Sequence, residues 1–424
     1  MLSTTSVNRP AVNIGQANYN VYLQLPIERL PLTSCEACVI VPVRNEAIAL
    51  EDTLSALTNQ IDLTGKPLDK NRYEIIVLAN NCTDNSADIA RNFARSRSVI
   101  IHVVEMTIKG DRAHIGWVRK LLMDEAYRRL KSIGRNFGVI ASTDGDTRVS
   151  PTWIAATLAE VENGADAVGG RIITNSQERN KLDKATKLYY LRYSRYGYLS
   201  AQLEACIDPY YESSPRHHHH YGASLAITAQ MYAKVGGLPP LPSSEDVALY
   251  EALKRIDARF RHSPQVRVIT SARSIGRAEA GLSARLSQLK DMAQNCQSVL
   301  VESAELIKMR FYLRRWLRYL WQSRQTITSE LSIVAQKIDL KRDLLEETIL
   351  RSPTFGLLLE QIEQYQQYND RLDRSWQQVN IQQANAEMEI AVSSFKRDRY
   401  FQTLGLSLDA LEQIEPISLF PQPL

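Results

Sequence analysis

Two carboxylates, one residue apart, close an apolar run in this chain. Residues 137–147 read Phe-Gly-Val-Ile-Ala-Ser-Thr-Asp-Gly-Asp-Thr, which puts Asp144 and Asp146 just past a stretch suited to a buried parallel strand. Ligands of open α/β sheets bind beyond the carboxyl ends of strands. Paired acids in that position need a cation. Mg²⁺ and Mn²⁺ take oxygen ligands, and Mg²⁺ is commonly held by one or two carboxylates together with substrate phosphates. The pair therefore suits a metal-bound diphosphate; the plainer reading is an Asp-Gly turn with solvated acids. Other residues offer matching chemistry. Pro42 sets a rigid turn without an N–H to satisfy. Asn45 and the Asn80-Asn81 pair carry amides able to read a base edge or a ribose, or simply to make turns. Lys109-Gly110-Asp111-Arg112 places two cations beside a glycine, suited to phosphate oxygens or to a solvated loop. Glu245-Asp246 opens a helical pattern (Val247, Leu249, Ala252, Leu253, Ile256), where a first-turn acid is favoured by the helix dipole alone.

The elements that must position these groups are legible in the same stretch. Ala37–Val43 is apolar and β-branched, and an amphipathic pattern with Ala47, Leu50, Leu54 and Leu57 follows it. Tyr73–Ala79 predicts a second strand with a helix through Phe93, and Val99–Val104 a third. A helix over about 112–131 precedes the strand that ends in the acid pair. This alternation predicts βαβ units, an α/β fold with a mostly parallel sheet, and polar clusters converging on one sheet edge.

With those motifs in order, the chain resembles family 2 glycosyltransferases of the A-type nucleotide-diphospho-sugar fold. The matching residues are Val39-Ile40-Val41-Pro42-Val43-Arg44-Asn45-Glu46, Leu78-Ala79-Asn80-Asn81-Cys82-Thr83-Asp84, Asp144-Gly145-Asp146 and Ser244-Glu245-Asp246. The resemblance runs from about residue 37 to 285. It implies that Pro42, Arg44, Asn45, Glu46, Asn80 and Asn81 hold the nucleoside. It implies that Asp144 and Asp146 bind ribose and a Mg²⁺ or Mn²⁺ diphosphate, with Lys109 and Arg112 nearby. It also implies that Asp246 is the base for the acceptor hydroxyl, with Glu245, Arg273 and Arg277 on the sugar and acceptor side. A-type enzymes often complete the metal shell with a histidine, a place open to His220 of the internal run His217–His220; loop or acceptor-site roles are the alternative readings. Two departures stand out. Asn80-Asn81 replaces an acidic pair found in many members, which leaves the base of the nucleotide open. The Gln-x-x-Arg-Trp signature of processive synthases is missing, and Ser271–Gly281 stands in its place, which argues for transfer of a single sugar.

The reaction implied needs a metal and cations for the leaving diphosphate and a general base for the hydroxyl. Two further readings stay open: a retaining transferase in which Asp246 is no base, and an inactive sugar-nucleotide-binding scaffold acting through its helical arm. A sugar-1-phosphate nucleotidyltransferase is disfavoured, since no Gly-rich loop follows the first strand. Tyr210–Pro215 reads as a mobile loop of the kind that closes over donor sugars.

The 424 residues, with a net charge of +4, leave room for an N-terminal arm (1–36), a catalytic domain (37–285) and a C-terminal helical domain (286–424). Nothing in the composition calls for nucleic acid. No run approaches the roughly 18 apolar residues of a membrane span, and no basic-then-apolar leader opens the chain. Five cysteines suit a reducing compartment, so the expected location is cytoplasmic. Cys35-x-x-Cys38 is half a zinc motif and reads as structural or incidental. Leu306, Met309, Leu313, Trp316, Leu320, Ile327 and Val334 predict a long amphipathic helix. After Pro353 and Gly356 a Gln-rich helical stretch over 357–396 completes an expected antiparallel hairpin. Arg310, Arg314 and Arg318 share one face of the first helix. The expectation is that Trp316 and Trp321 pack on the catalytic domain while these arginines stay solvated, the arm serving packing or oligomerisation; the alternative is a basic and aromatic face lying on an anionic membrane at the cytoplasmic side.

Overall fold

Strands buried on both faces must be apolar throughout, and the first two here are: β1 (Ala37–Val43) and β2 (Tyr73–Asn80) have no exposed residue. The computed structural model describes residues 24–212, 214–273, 281–324, 330–368, 378–397 and 417–420. Between and after those strands come α1 (Leu50–Thr58), α2 (Ser86–Arg95), β3 (Ile100–Met106), α3 (Ile115–Ser132) and β4 (Val139–Ser142). The second half adds β5 (Thr147–Val149), α4 (Trp153–Glu162), β6 (Ala167–Thr174), α5 (Ser176–Lys181) and α6 (Lys184–Ile207). Then follow β7 (Leu225–Thr228), α7 (Ala229–Lys234), α8 (Glu245–Arg255) and β8 (Phe260–Thr270).

All eight strands form one sheet in the order β3-β2-β1-β4-β7-β6-β8-β5. β3, β2, β1 and β4 pair in parallel, as do β6 and β8; β7 and β5 run the other way. This is the mostly parallel α/β sheet expected. Period-2 alternation divides its core. Cys38, Ile40, Ile76 and Leu78 face α3, α7 and α8, while Val39, Val41, Ile75 and Val77 face α1, α2 and α4.

The C-terminal part is helical, but it is not a two-helix hairpin. After α9 (Leu282–Gln294) and β9 (Leu300–Glu302) come α10 (Ala304–Gln322), α11 (Glu330–Lys337), α12 (Arg342–Arg351) and α13 (Phe355–Tyr368), then β10 (Gln378–Asn380) and α14 (Ile381–Arg397). The boundary expected at 285 falls inside α9, whose Leu286 and Leu289 are buried. Two features explain the departure from a hairpin. Gly356 lets the start of α13 meet the end of α8, where a Cβ would stand 1.9 Å from the Lys254 carbonyl oxygen, and the Asp257 carboxylate takes the Phe355 and Gly356 N–H groups at 2.7 and 2.8 Å. β10 pairs antiparallel with β9 and returns the chain so that α14 packs along α6, with Ala384 and Met388 beside Leu199 and Leu203. Among the described residues no helix is long and apolar enough to cross a membrane.

The arginine face of α10 points inward, contrary both to the solvated arginines expected and to the membrane reading. Arg310 forks onto Glu302 at 2.6 and 2.8 Å with both partners buried. Arg314 bonds Asp208 at 2.6 Å and also Glu204, and Arg318 bonds Asp208. Burial alone would raise the Glu204 carboxyl, but Arg216 and Arg314 outweigh it and pull it down to about 2. Helical spacing showed that these arginines share a face but not that α6 covers it.

Arg310→Met leaves Glu302 buried without its cation, which should cost about 3–5 kcal/mol in urea unfolding. Lys308→Met, a change at a solvated pair, should stay within about 0.5 kcal/mol. Equal effects would refute the inward assignment.

Candidate active site

Four loops meet at the carboxyl edge of the sheet, and hydrogen bonds between loops set their shape. Asn45 takes a left-handed φ of 56°, which asparagine tolerates better than most residues. Its side chain accepts from Thr83 N at 2.7 Å and donates to Thr83 Oγ1 at 3.1 Å. Glu46 N donates to Ser86 Oγ at 2.8 Å and Ala47 N to Asp84 at 3.1 Å. Asn81, also left-handed, spends both ends of its amide on Ile108: it donates to the carbonyl at 2.9 Å and accepts from the N–H at 3.1 Å. Asn45 and Asn81 therefore build the walls of the edge, and Asn80 is buried at the end of β2. Pro42 is buried in β1 and Arg44 exposed just past it. Lys109 and Arg112 are exposed on a 3₁₀ turn that precedes α3, with Arg112 stacked over Trp117; α3 itself starts only at Ile115, capped by His114.

The acid pair lies between β4 and β5. Thr147 pairs with Thr270 across β5 and β8, and their hydroxyls bond at 2.9 Å. That contact brings the chain after β8 over the acids. Arg273 forks onto Glu46 at 2.8 and 3.0 Å and reaches Asp146 at 3.0 Å. The structure thus sets Arg273 against Glu46 and Asp146. Arg277 lies outside the described residues.

A residue the sequence reading missed ties the site together. Arg119 on α3 is buried, donates to Asp144 Oδ1 at 2.6 Å and forms an ion pair with Glu245 Oε1. Asp246 is also close enough to act on its charge. The fit is tight, since a Cβ on Gly222 would stand 2.3 Å from Arg119 Cζ. Gly222 in turn donates its N–H to Asp246 Oδ2 at 2.7 Å, and Val247 N–H takes Oδ1 at 2.8 Å. A sequence signal existed: Arg119 sits on the buried stripe of α3 with Leu122 and Ala126, where a cation requires a partner.

Five carboxylates (Glu46, Asp144, Asp146, Glu245, Asp246) share this cluster with two guanidiniums, Arg119 and Arg273, among the described residues. Burial, then the neighbouring Asp144 and Glu46, push the Asp146 carboxyl up to about 6 against the pull of Arg273. Burial likewise raises Glu245, with Asp246 adding to it and Arg119 opposing. Such an acid excess fits a divalent cation held by oxygen ligands.

In the histidine run His217 is buried and His218, His219 and His220 are half-buried. His217 contacts the Ser263 carbonyl oxygen through Nε2 and accepts from His219 N through Nδ1; His219 Nδ1 accepts from Ile172 N at 3.0 Å. The His220 ring stacks on Tyr250 at 4.0 Å, with His262 and Lys254 nearby. Burial holds all four well below the usual histidine range, His217 at about 3 and His218 at about 4. Among the described residues, no close group of three ligand atoms joins His220 to the acids. The Tyr210–Pro215 loop is anchored where described: Tyr211 donates to the Ala258 carbonyl oxygen, and buried Glu212 accepts from His262.

Residues 38–210 match the model of glycosyl transferase family 2. A glycosyltransferase of Haloferax volcanii, AglE, is 27% identical over 136 residues, 32% of this chain and 38% of that protein, so the similarity spans well under half of the relative. Among solved structures, a Pyrobaculum calidifontis mannosyltransferase in complex with GDP-Man and Mn²⁺ covers 90% of this chain and 87% of its own at 14% identity and a TM-score of 0.38. Residues 1–349 of S. aureus TarS, in complex with UDP-GlcNAc, cover 80% of this chain and 93% of their own at 13% identity and a TM-score of 0.40.

Asp146 supplies a pH test. Its folded value lies above the ordinary 3.8. The folded state therefore keeps its proton where the unfolded chain has lost it, and this group's contribution to stability falls as pH rises from about 4 to about 6. Asp146→Asn should raise the urea midpoint at pH 7, and the gain should vanish near pH 4. A gain of equal size at both pH values would show that the carboxyl is not perturbed.

Proposed function

We infer from the match of residues 38–210 to the model of glycosyl transferase family 2 that the chain is a glycosyltransferase of that family. From that premise we propose that it transfers a single sugar from a nucleotide-diphospho-sugar to an acceptor hydroxyl, with inversion at the anomeric carbon. One observation carries the reading: Arg119 joins the donor-side Asp144 to Glu245, the immediate neighbour of Asp246. Acids from distant parts of the sequence thereby share one cluster.

In the proposed reaction the acceptor oxygen attacks the anomeric carbon while its proton passes to a carboxylate oxygen of Asp246. The bond from that carbon to the diphosphate breaks, and the nucleoside diphosphate leaves. The Gly222 and Val247 N–H groups hold the Asp246 carboxylate in one orientation beforehand. Asp144 and Asp146 are the residues to hold Mg²⁺ or Mn²⁺, which when bound supplies charge stabilisation for the leaving diphosphate. Lys109 and Arg112 suit its outer oxygens. Arg44 and Asn80 suit the nucleoside, whereas Asn45 and Asn81 act through loop shape. The catalytic unit is taken as the residues from β1 through β8, with the helices from α9 onward as an appendage.

A retaining transferase is the second reading. It is favoured by the bond from Val247 N–H to Asp246 Oδ1, which is local to the first turn of α8 and would suit a capping acid as well as a base.

A thermal-shift screen of nucleotide sugars with Mn²⁺ on the full chain identifies the donor; a ligand at 100 times its Kd stabilises by about 2.7 kcal/mol. Asp246→Asn should then lower kcat by ~10²–10⁴ with donor binding intact. A loss under about tenfold, with product of retained configuration, would replace the inverting reading. Binding without turnover of any donor would replace it with a sensor.

Arg119→Lys keeps the charge but not the two-pronged fork. It should retain the fold and raise the donor KM as well as lower kcat. A change in kcat alone would remove the link to Asp144.

A further inference from the structure

A second cluster of ligating side chains lies at the amino ends of the strands, on the opposite sheet edge from the acid pair. Cys35 closes the turn before β1, and Cys38 is the second residue of that strand. Glu74 is the register partner of Cys38 on β2, so its carboxylate stands beside the thiol on one face. One ligand atom from each of Cys35, Cys38 and Glu74 lies within 4.8 Å of the other two, and all three residues are buried. The Cys38 thiol donates to Glu74 Oε1 at 3.0 Å and the Cys35 thiol to the Ala37 carbonyl oxygen at 3.4 Å. Glycosyl transfer at the far edge uses none of these groups.

Spacing, orientation and charge all suit a metal. A tetrahedral zinc bound by sulfur and oxygen sets its ligand atoms roughly 3.5–3.8 Å apart, so the Cys38 thiol and the Glu74 oxygen, 3.0 Å apart, need part only slightly to admit one, with Cys35 within 4.8 Å of both. The carboxylate is already oriented by outer partners, as ligating groups usually are. Arg129 forks onto Glu74 at 2.7 Å to each oxygen, and His102 Nε2 lies 3.2 Å from Oε2. The remaining arm of Arg129 donates to the Arg29 carbonyl oxygen at 2.9 Å, which ties the segment before β1 into the same group. With both thiols protonated, Glu74 and Arg129 cancel. Exchange of two thiol protons for one divalent cation leaves that total unchanged, so a metal can sit here without adding net buried charge. Two S–H bonds are lost, two sulfur–metal bonds form, and two protons pass to solvent.

We propose that Cys35, Cys38 and Glu74 form a structural site for a borderline-soft divalent cation of the Zn²⁺ type, which fastens the segment before β1 to the sheet. Two thiolates and a carboxylate favour zinc over the hard ions suited to Asp144 and Asp146, so the two sites select different metals.

The test uses the full chain produced in cobalt-supplemented medium under reducing conditions and purified without a metal column. Expected is one tightly held ion per chain with a sulfur-to-cobalt charge-transfer band. The buried histidines cannot give that band. Cys38→Ser should lose the band, and Cys296→Ser, at an exposed thiol, should keep it. Because Cys38→Ser could fail to fold, the wild-type chain is also melted before and after stripping with a strong chelator, and stripping should lower the midpoint. A chain that holds no metal after gel filtration overturns the proposal. So does a band that survives both Cys35→Ser and Cys38→Ser, a melting midpoint indifferent to the chelator, or a Cys35–Cys38 disulfide in the metal-free protein.

Discussion

A guanidinium buried between two carboxylates sets the geometry of the catalytic edge. Arg119 holds Asp144 on one side and Glu245 on the other. An arginine taken out of water without partners would be very costly, and either acid alone would leave it half compensated. Each member of the bridge is therefore needed by the other two. Because Asp144 follows β4 while Glu245 opens α8, the bridge also fixes the distance between the loop after β4 and the helix that carries Asp246. Gly222 is small because the guanidinium lies against it, and its N–H is free to meet Asp246 for the same reason.

The same cluster is poorly optimised for stability. Asp146 pays for its position with a carboxyl raised to about 6, because Asp144 and Glu46 crowd it and Arg273 offsets them only in part. Carboxylates left in mutual repulsion are a recurrent mark of sites that gain their counter-charge from a ligand. Arg273 makes the arrangement tolerable by lying across Glu46 and Asp146.

Much of this was legible in the sequence. Continuous apolar runs specified β1 and β2, and alternation with amphipathic stretches specified the parallel sheet, because burial on both faces admits few other readings. The motifs marked which loops form the edge. Side-chain partners were harder to read. Asn45 and Asn81 look like ligand-reading amides, yet left-handed backbone and neighbouring loops consume them, a tertiary outcome that no local pattern encodes. Arg119 and Arg129 both interrupt the apolar stripe of α3, and each stands opposite a buried acid. The stripe alone announced two internal ion pairs, one at each end of the strands. Arg314 and Arg318 misled for the converse reason: α10 is covered on its charged face as well as its apolar one, and helical spacing cannot show what lies opposite.

The helical appendage meets the catalytic part through a charged layer whose worth lies in specificity rather than energy. Burying Arg314 and Arg318 against Glu204 and Asp208 gains little over apolar contacts of equal size; the leucines and aromatics of α6, α10 and α14 supply the adhesion. What the charges do is allow one docking angle, since a slipped α10 would strand four charges, of which Asp208 is buried. Glu204 also bonds Arg216, and from there the chain to Gly222 is held at nearly every step: His217 by Ser263, His218 against Gly197, His219 by Ile172, His220 on Tyr250. Burial keeps those imidazoles neutral, so the segment can be packed densely without repulsion. A run of four histidines is thus used as a rigid, uncharged strap, and its last link is the N–H that orients Asp246. If Asp246 acts as proposed, a carboxylate oriented in advance need not be ordered during the reaction.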